Sequence, residues 1–536
     1  MDKALSMGKV SATGSFHLFL GVAVSTIIMA VGTIILARLL LPEEYGLYSL
    51  SLIPSYMINL FRDWGVNSAM TRYVANLRIS NKNGDIRDII HGGIIFETIT
   101  GLGLTFLSLF LASLIATTIF HRPEATSLIA IASLVTFSGA LLVAAQSSFI
   151  GFENMKLNSF TLICQAVVKV VVGLLLILLG FGVLGAVLGY VLSFSVAGII
   201  GLVLLYTIFL RNLQKSENRA PLSEVVKKML RYGVPLSISS ILTGFLLQFY
   251  SFMMVIFSSD EMIGNYQVAT NFAVLLTFFS APITTVLFPA FAKLDPQNEK
   301  PLLKTIFASS VKYTSLILVP ATMAIMVLSQ PMVSTLFGEK WVHSPLFLTL
   351  YVSVNLLAAL GSISLGGFLA GVGETRIQMR LGILKLLVGI PLAFLLIPTY
   401  GILGVIVGSI LAGLPSLFWG LLWTWKHYEV RADFRNSTEI LTASIIAAIA
   451  TFVLISFFNT AEWIKLVVGG IVFLVAYLIT TSVVGAVTLS DIKNLKVMFS
   501  GLGIVSKLID VPLIIVEETV KRASKSTRIK KDAEHV

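Results

Sequence analysis

Apolar runs of about 20 residues, each long enough to cross roughly 30 Å of hydrocarbon as a helix, recur from residue 15 to residue 488 of this chain. Inside a bilayer the backbone must bond to itself, so runs of this kind leave a helical bundle as the fold. With 56% hydrophobic and only 12% charged residues among 536, the chain is too apolar for a soluble domain. We expect an all-α polytopic membrane protein with about fourteen transmembrane helices. They fall near 15–37, 44–62, 89–118, 126–149, 157–180, 182–209, 232–257, 264–291, 304–329, 344–369, 377–399, 401–424, 438–458 and 463–488. The first run is too long for the apolar part of a signal peptide and leads into Arg38, so it is expected to remain as a helix. The single cysteine, Cys164, excludes a disulfide framework within one chain.

The net charge of +11 is explained by position. With the N-terminus inside, only Arg38, Arg122, Lys340 and Lys465 fall in outer segments, and Lys169, Lys312 and Lys385 in span interiors. The other Lys and Arg residues, those of the 211–231 loop and of the tail from Lys493 included, fall on the cytoplasmic side. This is the positive-inside pattern and predicts a multi-pass plasma-membrane protein with both termini cytoplasmic. Adhesion of the basic segments to anionic lipid is a secondary reading, and a nucleic-acid partner is not expected.

The chain carries a weak internal repeat. LPEEYGLY at 41–48 matches SDEMIGNY at 259–266 through Gly46/Gly264 and Tyr48/Tyr266. Gly151 matches Gly371 and Lys156 matches Arg376, while GVLGAVLG at 182–189 matches GILGVIVG at 401–408 with all three glycines in register. The offset stays near 220 residues throughout. Six spans per half predict parallel repeats about an axis along the membrane normal. The expected organisation is an N-terminal six-helix bundle (1–210), a cytoplasmic linker (211–231), a C-terminal six-helix bundle (232–425), an extra helix pair (426–488) and a cytoplasmic interfacial and basic tail (489–536).

One span is more than filler. On a helix over 44–62, Tyr48, Ser51, Ser55, Asn59 and Arg62 recur at steps of three and four and share one face. A polar stripe in hydrocarbon needs a water-filled cavity or a polar helix contact. Span eight offers Tyr266, Thr270, Thr277 and Thr284, with Gln267 and Asn271 on another face, and span seven offers Gln248 and Tyr250. Such modest donors and acceptors, with aromatic faces, suit sugar hydroxyls and ring C–H surfaces.

ARLLLPEEYGLYSL at 37–50, WGVNSAMTRYVA at 64–75, LFPAFAKL at 287–294 and LLIPTYGILGVIVGSILAG at 395–413 together resemble the polysaccharide transporter family. That family holds the Wzx-like oligosaccharide flippases of the multidrug/oligosaccharidyl-lipid/polysaccharide exporter (MOP) superfamily. The resemblance covers about the first 430 residues and implies two six-helix bundles, alternating access and a cavity lined by spans one, two, seven and eight. It implies sugars on a polyprenyl phosphate or diphosphate as substrate. The extra helix pair is similar to one that accompanies a lipid-tail groove in the related lipid II flippases.

Arg62 is the first candidate for phosphate recognition, because guanidinium presents a fork of donors and keeps its charge. Its plainer reading is a helix-end cation paired with Asp63. Lys169 lies twelve residues into its span, about 18 Å deep. A charge near the bilayer centre must face a cavity or an acidic partner. Lys385 lies about 10 Å deep in the matching helix of the second half, whereas Lys312 is near enough to the edge to snorkel. Glu97, about 12 Å deep, is a candidate for ion coupling together with Asp63, or a neutralising partner for a lysine such as Lys169.

The substrate-site candidates are therefore Arg62, Asn59, Ser55, Tyr48, Lys169, Lys385, Gln248, Gln267 and Asn271, and the coupling candidates Glu97 and Asp63. The expected activity is flipping of a polyprenyl-(di)phosphate-linked oligosaccharide from the cytoplasmic to the outer leaflet, for surface polysaccharide or glycoprotein synthesis. Membrane lipids and glycan-assembly enzymes are expected as further partners. An ion-coupled multidrug or metabolite exporter of the same superfamily is the alternative, disfavoured because the deep charges are mostly lysines. No Asp-x-Asp or GxxxxGK[ST] pattern occurs, so a glycosyltransferase or nucleotide-driven enzyme is not expected; neither is a cofactor or a metal.

Overall fold

In the computed structural model, residues 2–80, 83–213, 221–276, 291–292, 294, 298–499, 514 and 517–518 are described, and among them the secondary structure is helical throughout. The helices are α1 (Asp2–Leu39), α2 (Pro42–Asn59), α3 (Val66–Ile79), α4 (Asn83–Leu114), α5 (Thr126–Gly151), α6 (Met155–Leu176), α7 (Gly182–Leu204), α8 (Leu222–Phe257) and α9 (Asp260–Ala273). Then come α10 (Lys300–Val327), α11 (Ser329–Phe337), α12 (Ser344–Val352), α13 (Ser362–Gly371), α14 (Thr375–Tyr400), α15 (Ile402–Tyr428), α16 (Phe434–Phe457), α17 (Glu462–Val484) and α18 (Leu489–Phe499).

Ten stretches among the described residues are long and apolar enough to cross a membrane, or eleven if the pair 344–360 and 362–371, bent by 57°, is one span. Met155–Leu210 counts there as one stretch. It nevertheless contains α6 and α7, of 22 and 23 residues, joined through a break at Gly180 with φ +93°. Of two further expected spans, one lies partly outside the described residues and one differs in extent. Residues 277–290 of the expected 264–291 run lie outside the described residues, and with them Thr277 and Thr284. The 44–62 run ends as a helix at Asn59, because Trp64 (φ +47°) and Gly65 (φ +77°) turn the backbone left-handed just beyond it. Arg62 therefore sits in the turn after α2 rather than on its face.

The chain divides into two compact units, residues 1–267 with 389–409, and residues 268–388 with 410–536. In the first, α1 packs on α6, α6 on α7, α7 on α5 and α5 on α4, with α2 and α3 laid against α5. Its buried cluster joins Val66, Met70 and Val74 of α3 to Ile86 and Ile90 of α4, Phe149 of α5 and Val225 and Met229 of α8. Burying a side chain of that size stabilises by about 1.5–3 kcal/mol in water. Within a bilayer, helix association relies more on close packing.

The starts of α2 and α9 cross in this unit at the two glycines matched by the repeat. A Cβ on Gly46 would collide with the Asp260 carbonyl, and one on Gly264 with the Pro42 carbonyl. Arg122 fastens the same region. Its Nε pairs with the Asp260 carboxylate, and its terminal nitrogens donate to the carbonyls of Phe120 (2.9 Å), Val255 (2.8 Å) and Ser258 (2.6 Å).

In the second unit α16 and α17 pack on each other, and α16 also packs on α10. The Tyr477 hydroxyl donates to the Leu316 carbonyl at 2.9 Å, so α17 is tied to α10 as well. Lys312 of α10 is an anchor rather than a snorkelling edge residue: its Nζ lies 2.7 Å from the Asp491 carboxylate of α18.

Candidate functional site

The polar stripe of α2 turns inward. Tyr48, Ser51 and Ser55 are all buried. Ser51 returns its hydroxyl to the Tyr48 carbonyl at 2.7 Å, while the buried Ser55 hydroxyl has no hydrogen-bond partner. Tyr48 lies against Tyr45 with ring centroids 5.8 Å apart. At the end of the stripe, Asn59 Oδ1 accepts a hydrogen bond from Arg62 Nη1 at 3.2 Å.

Arg62 leads into a buried charge cluster contributed by α3 and α4. Arg62 Nε lies 3.1 Å from Glu97 Oε2, with the arginine side chain 11% exposed and the glutamate fully buried. Neither atom makes an aligned hydrogen bond, so the contact is chiefly electrostatic. Asn67 Nδ2 donates both to Glu97 Oε1 at 2.7 Å and to Asp63 Oδ1 at 2.9 Å. Asp63 Oδ1 also accepts from the Asn67 amide at 2.9 Å, so this carboxylate caps the start of α3. Two carboxylates and one guanidinium thus share an amide bridge. Glu97 is neutralised by Arg62, not by a lysine.

Lys169 of α6 finds an aromatic face. Its Nζ lies 5.0 Å from the centroid of the Tyr190 ring on α7, a cation–π placement. The Tyr190 hydroxyl accepts from that of Tyr56 on α2 at 3.0 Å, and Phe194 lies one turn beyond with its ring centroid 5.2 Å from that of Tyr190. Gly139 of α5 has both Arg62 Nη1 and the Phe194 ring within 4 Å of where its Cβ would stand. The Arg62 cluster and the Tyr190 wall are therefore neighbours across Phe194. Among the described residues no carboxylate is paired with Lys169.

The remaining candidates stand elsewhere. Lys385 is exposed on α14, Gln248 is half-buried on α8, and Gln267 and Asn271 are half-buried on α9. Tyr250 of α8 is committed to the Gly389 carbonyl at 2.9 Å. The structure adds Tyr56, Tyr190, Phe194 and Asn67, which sequence reasoning missed. Tyr56 follows Ser55 and lies off the predicted stripe; Asn67 stands in the WGVNSAM segment and Tyr190 just after the GVLGAVLG repeat. The last two segments did draw notice, but not these residues.

The site thus brings together polar and aromatic groups from α2, α3, α4, α6 and α7 with Arg62 of the α2–α3 turn and Lys169. Its two cations are suited to pairing with an anionic group, and the Glu97 carboxylate to taking up a proton or a cation.

The profile of the polysaccharide biosynthesis protein family matches residues 11–295, and that of the lipid II flippase MurJ family matches residues 266–476. Over 397 residues the chain is 26% identical to the lipopolysaccharide biosynthesis protein WzxC of Escherichia coli (strain K12), covering 72% of this chain and 76% of that protein. It is 23% identical over 168 residues to the probable low-salt glycan biosynthesis flippase Agl15 of Haloferax volcanii, covering 31% and 35% of the two chains.

Among solved structures, the lipid II flippase MurJ in an inward closed conformation superposes with a TM-score of 0.68 at 13% identity, covering 87% of this chain and 98% of that one. An inward-facing multidrug resistance MATE family transporter of the MOP superfamily superposes with a TM-score of 0.63 at 17% identity, over 77% and 98%. These two likenesses establish the fold, one of a multi-pass helical membrane protein. The family profile spans more than half of the sequence, and the chain belongs to the polysaccharide biosynthesis protein family. It is a membrane flippase and not an enzyme.

Proposed function

We propose that this protein flips a polyprenyl-phosphate- or diphosphate-linked oligosaccharide from the cytoplasmic to the outer leaflet by alternating access, for surface polysaccharide or glycoprotein synthesis. Its termini are cytoplasmic in this reading. Fourteen spans form two six-helix repeats, 1–210 and 232–425, joined by the 211–231 linker and followed by the extra pair in 426–488 and the 489–536 tail. The observation that carries the reading is the placement of two cations in one helical unit, Lys169 over the Tyr190 ring and Arg62 beside the same glycine as Phe194. Phosphate oxygens suit the guanidinium fork, and the ring faces suit sugars.

The cluster suggests how binding is coupled to movement. Arg62 Nε meets Glu97 without an aligned hydrogen bond, so an incoming phosphate can offer the better geometry and take the guanidinium over. Glu97 is then a buried carboxylate with only Asn67 as partner, a costly state that a proton or a small cation relieves. Uptake of that charge is the coupling step, with Asp63 as the second carboxylate of the site. Lys385, Gln248, Gln267 and Asn271 remain further substrate-contact candidates in this reading.

The test is the amount and sidedness of lipid-linked oligosaccharide in membranes with and without the protein. Accumulation on the cytoplasmic leaflet in its absence supports flipping; an unchanged pool, where no redundant transporter is present, refutes it. The excess of carboxylate over guanidinium at Asp63, Glu97 and Arg62 also suits a cation exporter, a reading that the fold shared with a MATE transporter permits. Movement of organic cations by the purified protein, with no lipid-linked sugar moved, would establish that reading instead.

A further inference from the structure

Where α3 meets the polar end of α8, a surface cleft of about 380 Å³ opens between two tyrosines. It is lined by Tyr73, Glu224, Lys227, Lys228, Arg231 and Tyr232. The walls are fixed from behind: Val225 and Met229 of the same helix are buried in the cluster shared with α3 and α4, so the intervening basic side chains face outward. The two rings meet edge to face at 6.0 Å. Each carries a cation, Lys228 Nζ at 4.8 Å from the Tyr73 centroid and the Arg72 guanidinium carbon at 4.4 Å from that of Tyr232. Among the described residues none of Arg72, Lys227, Lys228 and Arg231 is paired with a carboxylate. Glu224 is the one acid of the cleft lining.

A topology signal needs only positive charge. It does not need a cleft with two ring walls that hold cations in place. The neighbouring surface narrows the ligand. One to two turns further along α8, Leu236 and Ile238 are each 47% exposed, and the apolar run Ser240–Phe257 follows. Cations above an exposed apolar strip match an amphiphile whose phosphate sits at the headgroup level and whose chains lie along the helix.

We propose that this cleft is a binding site for the headgroup phosphate of an anionic bilayer phospholipid, separate from the Arg62 and Lys169 site. The inference rests on the chain spanning a membrane, and it is independent of what the transporter moves.

The experiment uses the purified full-length protein in a neutral detergent, with bound lipid counted by native mass spectrometry and followed by thermal unfolding. The probes are phosphatidylglycerol, phosphatidylcholine, inorganic pyrophosphate and farnesyl diphosphate. Phosphatidylglycerol is expected to bind and raise the unfolding midpoint above that seen with phosphatidylcholine. In the variant Lys227→Gln/Lys228→Gln/Arg231→Gln its affinity falls about 100-fold, at about five-fold per basic residue removed. All three side chains are exposed, and the midpoint without lipid reports whether the variant is folded; Arg72→Gln alone serves as a second, milder probe. Equal binding of phosphatidylglycerol and phosphatidylcholine overturns the proposal, as does a triple variant that keeps its affinity. Binding of farnesyl diphosphate or pyrophosphate without phosphatidylglycerol also overturns it, since the site would then receive a different phosphate.

Discussion

Arg62 and Glu97 form a pair whose removal can be worked through before it is measured. Replacing Arg62 by Met leaves a fully buried Glu97 with only the Asn67 amide as partner. Breaking one side of a buried ion pair costs about 3–5 kcal/mol, and the surviving hydrogen bond places this variant near the lower end. Replacing Glu97 by Gln strands an arginine that keeps its bond to Asn59 and is 11% exposed. Its cost is closer to that of one hydrogen bond to a charged group, about 1.5–3 kcal/mol. If the two acted independently, the double variant would lose about 5 kcal/mol. With both charges gone, neither is left stranded, and the loss should fall to about 3 kcal/mol, a coupling of about 2 kcal/mol. The assay is unfolding in mixed micelles of increasing denaturing-detergent content, for the four proteins of the cycle. Additive losses, with coupling below about 0.5 kcal/mol, would refute the pair as described.

Three further outcomes are expected. Lys169→Met should reduce accumulation of outer-leaflet lipid-linked sugar at least about tenfold at normal membrane levels, as loss of one charge-assisted contact implies, with Lys169→Arg partly active; full activity of the methionine variant would remove Lys169 from the site. Gly46→Val or Gly264→Val should each destabilise by about 1–3 kcal/mol or more, because the side chain meets the facing helix's carbonyl at the α2–α9 crossing, and folded yield from membranes tests it. Asp491 lies outside the spans; burial pushes its carboxyl up, but hydrogen bonds from Lys312 and Thr488 outweigh this and leave it below the usual range. A depressed carboxyl contributes stability above the unfolded value, near 4, that is lost as pH falls through the lower folded value. Asp491→Asn should therefore lower the unfolding midpoint more at pH 7 than at pH 3; an equal drop at both would show that the charge is not what matters.

Some of this was legible in the sequence because hydrocarbon restricts what a chain can do. Apolar runs of span length must be helical, and an ionisable residue inside one must have a reason. Thus the helical class, the inward stripe at Tyr48, Ser51 and Ser55, and Lys169 and Glu97 as residues needing partners could all be read from spacing. Gly46 and Gly264 were also legible, though only as a repeat. The structure adds that a Cβ at either would strike the opposite helix. The end of α2 was not legible, since periodicity runs on through Arg62 and only the left-handed pair Trp64 and Gly65 stops it.

Partner choice was the harder problem, and the reason is rotational. Each residue turns a helix by about 100°, so an error of one position in the facing of α4 or α6 redirects a charge to another neighbour. From depth alone, Glu97 and Lys169 suit each other well. The turn after α2 instead swings Arg62 to Glu97 and leaves Lys169 to the Tyr190 ring. That exchange changes the chemistry of the site. Had Glu97 neutralised Lys169, Arg62 would stand ready for a phosphate and the lysine would be structural. With the partners as found, the lysine has no acidic partner among the described residues, and the arginine becomes available only when Glu97 gives it up. In the proposed mechanism, binding of the anion and neutralisation of the carboxylate by a proton or cation are linked events, so in a flipping assay Glu97→Gln should retain substrate binding while losing its dependence on the coupling ion.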